Sequence, residues 1–367
     1  MKTLIDRRAL VATFRELAGI YAPGRGERPI ADYVKSRLER HWPVTEDRAG
    51  KAIGGNAGNV LVRISGRGEP LLFAAHLDTV EPARGVKPRL KGGYFVSAGD
   101  TILGADDRAA VAVLVELAVG AARLPDRRAI EVLFTVGEEV GLLGALHADY
   151  RRLRSKVGFV FDASEPPGYA VVSAPGSDLF TAVFRGRAAH AGIAPEKGRS
   201  AIRMAAAAIG AMKLGRVDRE TTANVGLISG GRAVNIVPDR AEVQGEVRSR
   251  NAAKLRAHVA HVNRALKKAA AAHGGRVEIS WSHAYDAYHL RDNAAPVKHF
   301  RAAARRAALT PRFVAGGGGS DANIFNRRGI PSLVVGCGME KPHSTEERIA
   351  VAALYRLAEL ATALAVA

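Results

Sequence analysis

The sequence LLFAAHLDTV, at residues 71–80, decides the fold together with GADDRAAVAV at residues 104–113 and IEVLFTVGEEVGLLGA at residues 130–145. A run of four to eight apolar residues bounded by turn signals is typical of a buried parallel strand. Acids or a histidine follow each apolar run or precede the helical one. Because chemistry gathers beyond the carboxyl ends of parallel strands, we expect these groups to meet in one crevice. They are His76, Asp78, Asp106, Asp107, Glu138 and Glu139.

The rest of the first half of the chain also alternates between predicted strands and predicted helices. A further strand is predicted at residues 158–162, and it ends on Asp162. Helical spacing of apolar residues predicts one helix at residues 4–20 and another from Pro29 to about residue 41. Strands with intervening helices indicate an α/β fold, a mostly parallel sheet with helices on both faces.

A different pattern begins after Pro175. Residues 178–282 predict the order strand, helix, strand, strand, helix, strand, which is the ferredoxin-like split βαβ arrangement. The α/β rhythm returns from Ala294, and we predict a last helix from Thr345. The sequence therefore predicts one domain made of residues 1–174 and 290–367, interrupted by an inserted α+β domain of residues 175–289.

The composition excludes several classes of protein. The 367-residue chain has a net charge of +18, but its basic residues are dispersed and not interleaved with aromatic ones, so we expect no nucleic-acid partner. No apolar run approaches the roughly 18 residues of a membrane helix, so we expect no membrane contact. Cys337 is the only cysteine and lies in an apolar run, which favours a buried thiol and a cytoplasmic location. The high charge could attract acidic peptides, an idea that a salt-independent kcat/KM for such peptides would refute.

The crowded acids point to metal chemistry. Carboxylates in one crevice repel each other unless cations neutralise them, and imidazole with carboxylate suits zinc, manganese or cobalt. Asp78 lies two residues after His76, on the same strand face, where it could orient the imidazole. Of the pair Glu138 and Glu139, one can bind metal while the other transfers protons. An HxD motif alone is common, and a lone GEE is usually a helix start, but the repetition of acids at consecutive strand ends favours a catalytic site.

These motifs and five later ones resemble the dinuclear zinc exopeptidase family, which includes peptidase T, carboxypeptidase G, desuccinylases and aminoacylases. The later motifs are FDAS at residues 161–164, GRAAHAG at 186–192, NIVPDRAEV at 235–243, GGGSDA at 317–322 and KPHSTEE at 341–347. They cover nearly the whole chain in the family's order, and the peptidase T-like branch is the most similar. The resemblance implies a zinc exopeptidase-like catalytic domain, an inserted lid and dimerisation domain, and a homodimer formed through that domain.

The resemblance also implies two Zn²⁺ ions, with Mn²⁺ or Co²⁺ as alternatives. The ligands would be His76, Asp106 and Asp162 for one ion, and Asp106, Glu139 and His343 for the other. Asp78 would orient His76, and a cis peptide is expected after Asp106. A hydroxide held by the two ions would attack the scissile carbonyl, and Glu138 would act as the general base that passes the proton to the leaving amine.

The resemblance assigns the substrate contacts to two further regions. His190 would donate to the oxyanion, from the partner subunit of a dimer, although a lone loop histidine is more often simply exposed. Asn235 and Arg248 match positions that contact substrate, and Arg248 would bind a carboxylate with both its nitrogens, where its ordinary role would be a solvated strand-end arginine. Gly318 and Ser320 belong to a glycine loop that would run along the substrate backbone.

The sequence thus predicts a cytoplasmic metallopeptidase that releases the N-terminal residue from short peptides. An N-acyl-amino-acid deacylase or a carboxypeptidase on the same metal site is the alternative, because Arg248 suits the carboxylate of either substrate. Asp162 favours the peptidases, since related deacylases often carry glutamate there. A binding protein that has lost catalysis is a third reading, against which the intact ligand set and Glu138 argue.

Overall fold

The computed structural model describes residues 4–123 and 126–366. The chain divides into two compact units. The first unit contains the described residues up to Ser173, Leu290–Gly316, and the residues from Ser320 onward. The second contains Ala174–His289 and Gly317–Gly319. Among the helices of the described ranges, none has the length and apolar character needed to span a bilayer.

The described residues form ten α-helices. They are α1 (Arg7–Gly19), α2 (Arg28–Leu38), α3 (Ala49–Ile53), α4 (Ala105–Ala121), α5 (Leu143–Leu146), α6 (Ala201–Ala211), α7 (Ala252–Ala272), α8 (Ala295–Arg306), α9 (Asp321–Arg327) and α10 (Val351–Ala365). The Asp6 side chain accepts the N–H groups of Arg8 and Ala9, which explains why α1 begins at Arg7 and not at the predicted residue 4.

The strands complete the described architecture. They are β1 (Val44–Glu46), β2 (Val60–Ile64), β3 (Arg67–His76), β4 (Pro88–Lys91), β5 (Tyr94–Ser97), β6 (Arg128–Thr135), β7 (Gly158–Ala163), β8 (Tyr169–Ala174), β9 (Gly176–Arg185), β10 (Gly215–Arg216), β11 (Thr221–Gly230), β12 (Arg240–Ser249), β13 (Arg276–Tyr285), β14 (Tyr288–His289), β15 (Arg312–Ala315), β16 (Ser332–Gly336), β17 (Met339–Glu340) and β18 (Arg348–Ala350).

The main sheet of the first unit has a parallel centre. Its strands follow the order β1-β2-β6-β3-β7-β16-β8, and β6, β3, β7 and β16 pair in parallel. The apolar run at the end of β3 is buried residue after residue, as expected for a strand covered on both faces. The α4 helix is buried on nearly all sides and packs against β3, α1 and α10. This confirms the predicted α/β class and aligns the carboxyl ends of the central strands.

The end of the chain differs from the prediction. We predicted a helix from Thr345, but α10 begins at Val351. The preceding residues form β18, which pairs with β17 and β5 in a small antiparallel sheet. The prediction was wrong because the polar segment before α10 has partners that lie far away in the sequence.

The second unit is an antiparallel sheet with two helices. Its strand order is β10-β11-β12-β9-β13, and α6 and α7 pack on it. The core contains Phe180, Phe184, Met204, Val243 and Leu266. The predicted order of strand, helix, strand, strand, helix, strand is confirmed, with the two-residue strand β10 added before β11. This is the ferredoxin-like α+β arrangement.

Candidate metal centre

The predicted polar residues of the first unit lie at the ends of neighbouring central strands and in one loop. This is the edge of a parallel sheet where ligands bind. The residues are His76 at the end of β3, Asp106 and Asp107 at the start of α4, Glu138 and Glu139 after β6, Asp162 in β7, and His343 between β17 and β18.

Two histidines face the same carboxylate. His76 Nε2 lies 3.1 Å from Asp106 Oδ1 and 3.6 Å from Asp162 Oδ1. His343 Nε2 lies 3.3 Å from Asp106 Oδ2 and 3.0 Å from Glu139 Oε1. Asp106 therefore presents one oxygen to each histidine, which is the arrangement of a carboxylate that bridges two cations.

Three overlapping sets of donor atoms result among the described residues, and the atoms of each set lie within 4.8 Å of one another. The sets are His76 with Asp106 and Asp162, Asp106 with Glu139 and His343, and His76 with Glu138 and Glu139. The first two sets are the ligand sets predicted for the two ions. The third shows that Glu138, predicted as a base, also lies within reach of a cation.

Burial and mutual repulsion make this group of acids costly to ionise. Burial raises the pKa of Asp162 to about 7 and that of Glu138 well above its usual range, with Asp162 adding to the latter. Hydrogen bonds from His343 and His76 overcome burial and hold the pKa of Asp106 low. Hydrogen bonds to Asp106 and Glu139 raise the pKa of His343 to about 10. Oxygen and imidazole donors that compete in this way for positive charge fit divalent cations.

The Asp78 residue connects two parts of the site. His76 Nδ1 lies 3.0 Å from the Asp78 backbone carbonyl and 3.5 Å from its Oδ1. Because a carbonyl can only accept, Nδ1 carries a proton, and a ring that is neutral would therefore present its Nε2 lone pair towards Asp106. The Asp78 carboxylate accepts the backbone N–H groups of Glu138 and Glu139, each at 3.0 Å. Asp78 therefore orients the imidazole mainly through its main chain and fixes the glutamate turn through its side chain.

The backbone has special conformations at two of these residues. The Asp106–Asp107 peptide is cis, as predicted. Asp107 is buried, and its Oδ2 accepts the backbone N–H of His76 at 3.2 Å. His343 has a φ of 61°, in the left-handed region that favours glycine. Such a backbone at a non-glycine residue is found where the surroundings or function require it.

Three buried acids that support the site were missed in the sequence. Glu347 accepts the N–H groups of Leu103, Gly104 and Asp106, and so holds the turn that carries the shared carboxylate. Glu27 accepts the N–H of Gly137, directly before the glutamate pair. Asp321 accepts the Thr135 hydroxyl at 2.6 Å, and burial raises its pKa to about 6. Glu347 and Asp321 lie inside quoted motifs, whereas nothing in the local sequence marks Glu27.

The second unit brings two predicted substrate residues together. The loops of His190 and Asn235 pair, with a bridge between His190 and Ile236 and a bond from Ala191 N–H to the Asn235 carbonyl. His190 Nδ1 accepts two backbone N–H groups, at 3.1 and 3.2 Å. In its neutral form, His190 therefore carries its proton on Nε2, as a donor.

The Arg248 guanidinium is partly buried on β12. It forms an ion pair with Glu246 at 2.9 Å, and its Nε is a buried donor without a partner among the described residues. A buried N–H of this kind is costly unless a ligand accepts it. The predicted contact of Arg248 with a substrate carboxylate stays a prediction.

The glycine loop is constrained by packing as well. Ser320 caps α9, since its hydroxyl accepts the Ala322 N–H at 3.3 Å. A Cβ on Gly319 would lie 2.3 Å from the Tyr285 ring, whereas one on Gly318 would meet no atom within 4 Å. Gly318 therefore has open space beside it, and the predicted substrate roles of Gly318 and Ser320 stay predictions.

Comparisons with known proteins agree with this chemistry. The family model of the peptidase dimerisation domain matches residues 172–274, and that of peptidase family M28 matches residues 59–199. The chain is 35% identical over 98% of its length to an uncharacterized Bacillus subtilis protein, YqjE, and covers 98% of that protein. The crystal structure of aminopeptidase PepT from Bacillus cereus is similar, with 38% identity, a TM-score of 0.89, and coverage of 99% of this chain and 98% of that one. A tripeptidase from Staphylococcus aureus gives 37% identity and a TM-score of 0.93, with the same coverage.

Proposed function

Because the chain belongs to the peptidase T-like family of metallopeptidases, we propose that it is an aminopeptidase that releases the N-terminal residue of short peptides, chiefly tripeptides. Similarity over nearly the whole chain to an aminopeptidase and a tripeptidase supports this substrate class. The observation that carries the proposal is Asp106, whose two oxygens face two different histidines within the overlapping donor sets. The first unit would be the catalytic domain, and the second the lid and dimerisation domain.

We propose that two zinc ions bind here, with manganese or cobalt as replacements. His76, Asp106 and Asp162 would hold one ion, and Asp106, Glu139 and His343 the other. When bound, such ions acidify a water molecule and polarise the scissile carbonyl. The Nε2 lone pair of His76 and the two oxygens of Asp106 face inward in the manner that this binding requires.

The chain's own groups would move the proton. Glu138 is buried beside the donor sets, and its raised pKa suits a group that accepts a proton from the attacking water and passes it to the leaving amine. Asp78 fixes the backbone of Glu138 and the ring of His76, so it would hold the general base and one metal ligand at a constant position relative to each other. No nucleophilic side chain is needed, which agrees with the buried position of Cys337.

The substrate contacts are assigned to the second unit and the glycine loop. His190 would donate from Nε2 to the oxyanion, within the active site of the partner subunit, and Asn235 beside it would contact the same region. Arg248 would bind the peptide carboxylate through the donor that has no partner among the described residues. Gly318 would let the peptide backbone approach closely, with Ser320 at the end of that loop.

We propose a homodimer formed through the second unit. The match to the peptidase dimerisation domain supports it, as does the edge of β11, where β10 pairs with only two residues. Exposed apolar side chains concentrate on this unit, and several lie on or near β11. They include Ile202, Leu227, Ile228, Val234 and Ile236. We place the enzyme in the cytoplasm, a location that suits its single buried thiol.

The test is a hydrolysis panel on the zinc- or manganese-loaded protein. A tripeptide, a dipeptide, an N-acetyl amino acid and an acyl-glutamate are compared, with product analysis to identify the released residue. We expect tripeptide cleavage at the N-terminus, and a kcat lowered about 10²–10⁴-fold in Glu138→Ala, the range typical for loss of a general base. Cleavage of only the acylated substrates would move the enzyme to the deacylases.

Metal content of the Glu138→Ala variant decides between its two roles. A base can be removed without loss of metal, so we expect the variant to keep the wild-type content by plasma mass spectrometry. A lower content would make Glu138 a ligand, in accordance with the third donor set.

A further inference from the structure

The second unit contains a cavity of about 880 Å³ that is lined by arginine and glycine residues. All lining residues belong to that unit, whereas the metal donors belong to the first. Its volume lies in the upper part of the range of small-molecule sites. Six arginines from β9, β12, β13 and the connecting loops line it: Arg185, Arg187, Arg199, Arg232, Arg240 and Arg276.

Acids neutralise about half of this charge. Arg232 pairs with Asp239 at 3.2 Å, and Arg240 pairs with Glu242 at 2.5 Å. A single further acid, Glu278, serves two arginines, lying 3.3 Å from Arg185 and 4.0 Å from Arg276. Within the described ranges, these three acids face six guanidinium groups.

The two remaining arginines are bound to neutral groups. Arg187 donates to the Lys197 carbonyl, and Arg199 donates to the Gly274 carbonyl at 2.5 Å. Carbonyl oxygens hold these side chains in place but carry no formal charge. About three positive charges in the cavity are therefore in excess. Arginine cannot relieve this repulsion by losing a proton, as a buried lysine can, and an anion that enters the cavity would offset it at contact.

The guanidinium groups supply the free donors of the cavity. Its glycine backbone is already engaged: Gly186 N–H donates to the Asp239 carbonyl, Gly231 N–H to the Arg240 carbonyl, and Gly275 N–H to the Ala270 carbonyl. Recognition therefore falls to planar forks of N–H groups, which match phosphate oxygens in pairs. A single carboxylate would leave most of the excess charge uncompensated.

We propose that this cavity binds a small anion with an oligophosphate chain, such as an inorganic polyphosphate or a nucleoside triphosphate. Its three or four negative charges match the excess of three, and the volume accommodates a molecule of that size. Nucleic acid fits less well as a ligand. Nucleic-acid sites typically combine a stripe of basic side chains with aromatic residues, whereas these basic side chains surround one cavity that no aromatic residue lines among the described residues. None of the residues assigned to the peptidase reaction lines the cavity, and Arg187 and Arg232 lie on the same loops as His190 and Asn235.

Calorimetric titration of the metal-loaded, full-length protein with tripolyphosphate tests the proposal. The pocket variant Arg232→Ala/Arg276→Ala removes two members whose side chains are 71% and 78% exposed, so it should fold normally. The control Arg256→Ala/Arg264→Ala removes the same charge from exposed positions of α7 in the same unit. Phosphate binding at the metal centre is common to both variants, so the difference between them reports on the cavity. Circular dichroism verifies folding.

At 150 mM salt we expect the pocket variant to weaken the Kd at least tenfold and the control by less than twofold. A second titration with ATP distinguishes a nucleoside triphosphate from an inorganic polyphosphate. Tighter binding of ATP than of tripolyphosphate identifies a nucleotide as the ligand, and equal binding identifies the phosphate chain alone. Equal losses in both variants, an absence of saturable binding to either ligand, or binding of a single-stranded oligonucleotide only would overturn the proposal. Binding is the readout, so failure here leaves the peptidase proposal untouched.

Discussion

Replacing Glu347 by glutamine is expected to loosen the turn that carries Asp106. The buried carboxylate accepts the N–H groups of Leu103 and Gly104 through Oε2, at 2.9 and 2.6 Å, and that of Asp106 through Oε1, at 2.9 Å. Glutamine keeps one acceptor oxygen, and its NH₂ group must face at least one of these donors. At least one buried N–H therefore loses its partner.

The free energy of unfolding that is lost in this variant follows from these contacts. A buried hydrogen bond to a charged acceptor contributes about 1.5–3 kcal/mol. For a unit of this size each kcal/mol lowers the Tm by about 2–4 °C, so we expect a fall of roughly 3–12 °C. Asp106 belongs to two of the donor sets, and loss of a group that supports a ligand typically weakens metal affinity about 10–100-fold.

Calorimetric unfolding of the metal-loaded protein at pH 8 measures the first effect, and metal retained against a competing chelator measures the second. The matched control is Glu346→Gln, which removes an exposed carboxylate whose ion pair with Lys341 is 2.7 Å long. An exposed pair contributes less than about 1 kcal/mol, so the control should stay near wild type. Identical behaviour of the two variants would refute the positioning role of Glu347.

Three further predictions test the metal, the assembly and the electrostatics. Chelator treatment should abolish hydrolysis, zinc, manganese or cobalt should restore it, and His343→Ala should lower the bound metal measured by mass spectrometry. Leu227→Asp, on β11, should convert dimer to monomer in light scattering, whereas Leu90→Asp, equally exposed in the first unit, should not. Burial alone would raise the pKa of Glu46, but hydrogen bonds from Arg28 and two further donors lower it to about 2 from its usual 4.5. The resulting stability is present above pH 4.5 and lost as the pH falls towards 2. Glu46→Gln should therefore cost about 1–2 kcal/mol at pH 6, after allowance for solvent screening, and nearly nothing near pH 2 in urea titrations.

The residues that can be predicted from this sequence are those whose signal is local. The buried run of β3 ends at His76, and the run of β6 is followed directly by Glu138 and Glu139, so strand periodicity alone places them at one edge of the sheet. The alternation of the inserted segment predicts its strands and helices for the same reason. Side-chain direction along a strand repeats every two residues, which is why Asp78 could be linked to His76.

The missed features depend on contacts between distant parts of the chain. Glu347 binds N–H groups that lie more than 240 residues earlier, and β18 pairs with β5, which lies far earlier in the sequence. The contacts of Asp78 could also be predicted only in part, although His76 lies close to it in the sequence. Its proximity to His76 was predictable, but the use of its carbonyl for the ring and its carboxylate for the glutamate turn depends on backbone conformation.

The net charge of +18 has two separable physical consequences. Dispersed charge attracts acidic peptides from a distance, so its effect would be a kcat/KM for such peptides that depends on salt. At physiological ionic strength, salt screens this attraction beyond a Debye length of about 8 Å. The arginine cavity acts by direct contact, so its effect would be a Kd for tripolyphosphate that depends on Arg232 and Arg276. A salt-dependent kcat/KM that survives the loss of both arginines would assign attraction of substrate to the dispersed charge. Loss of the salt dependence in the variant would instead tie the attraction of acidic peptides to the cavity, because lowering the net charge from +18 to +16 cannot remove a field that the whole surface creates.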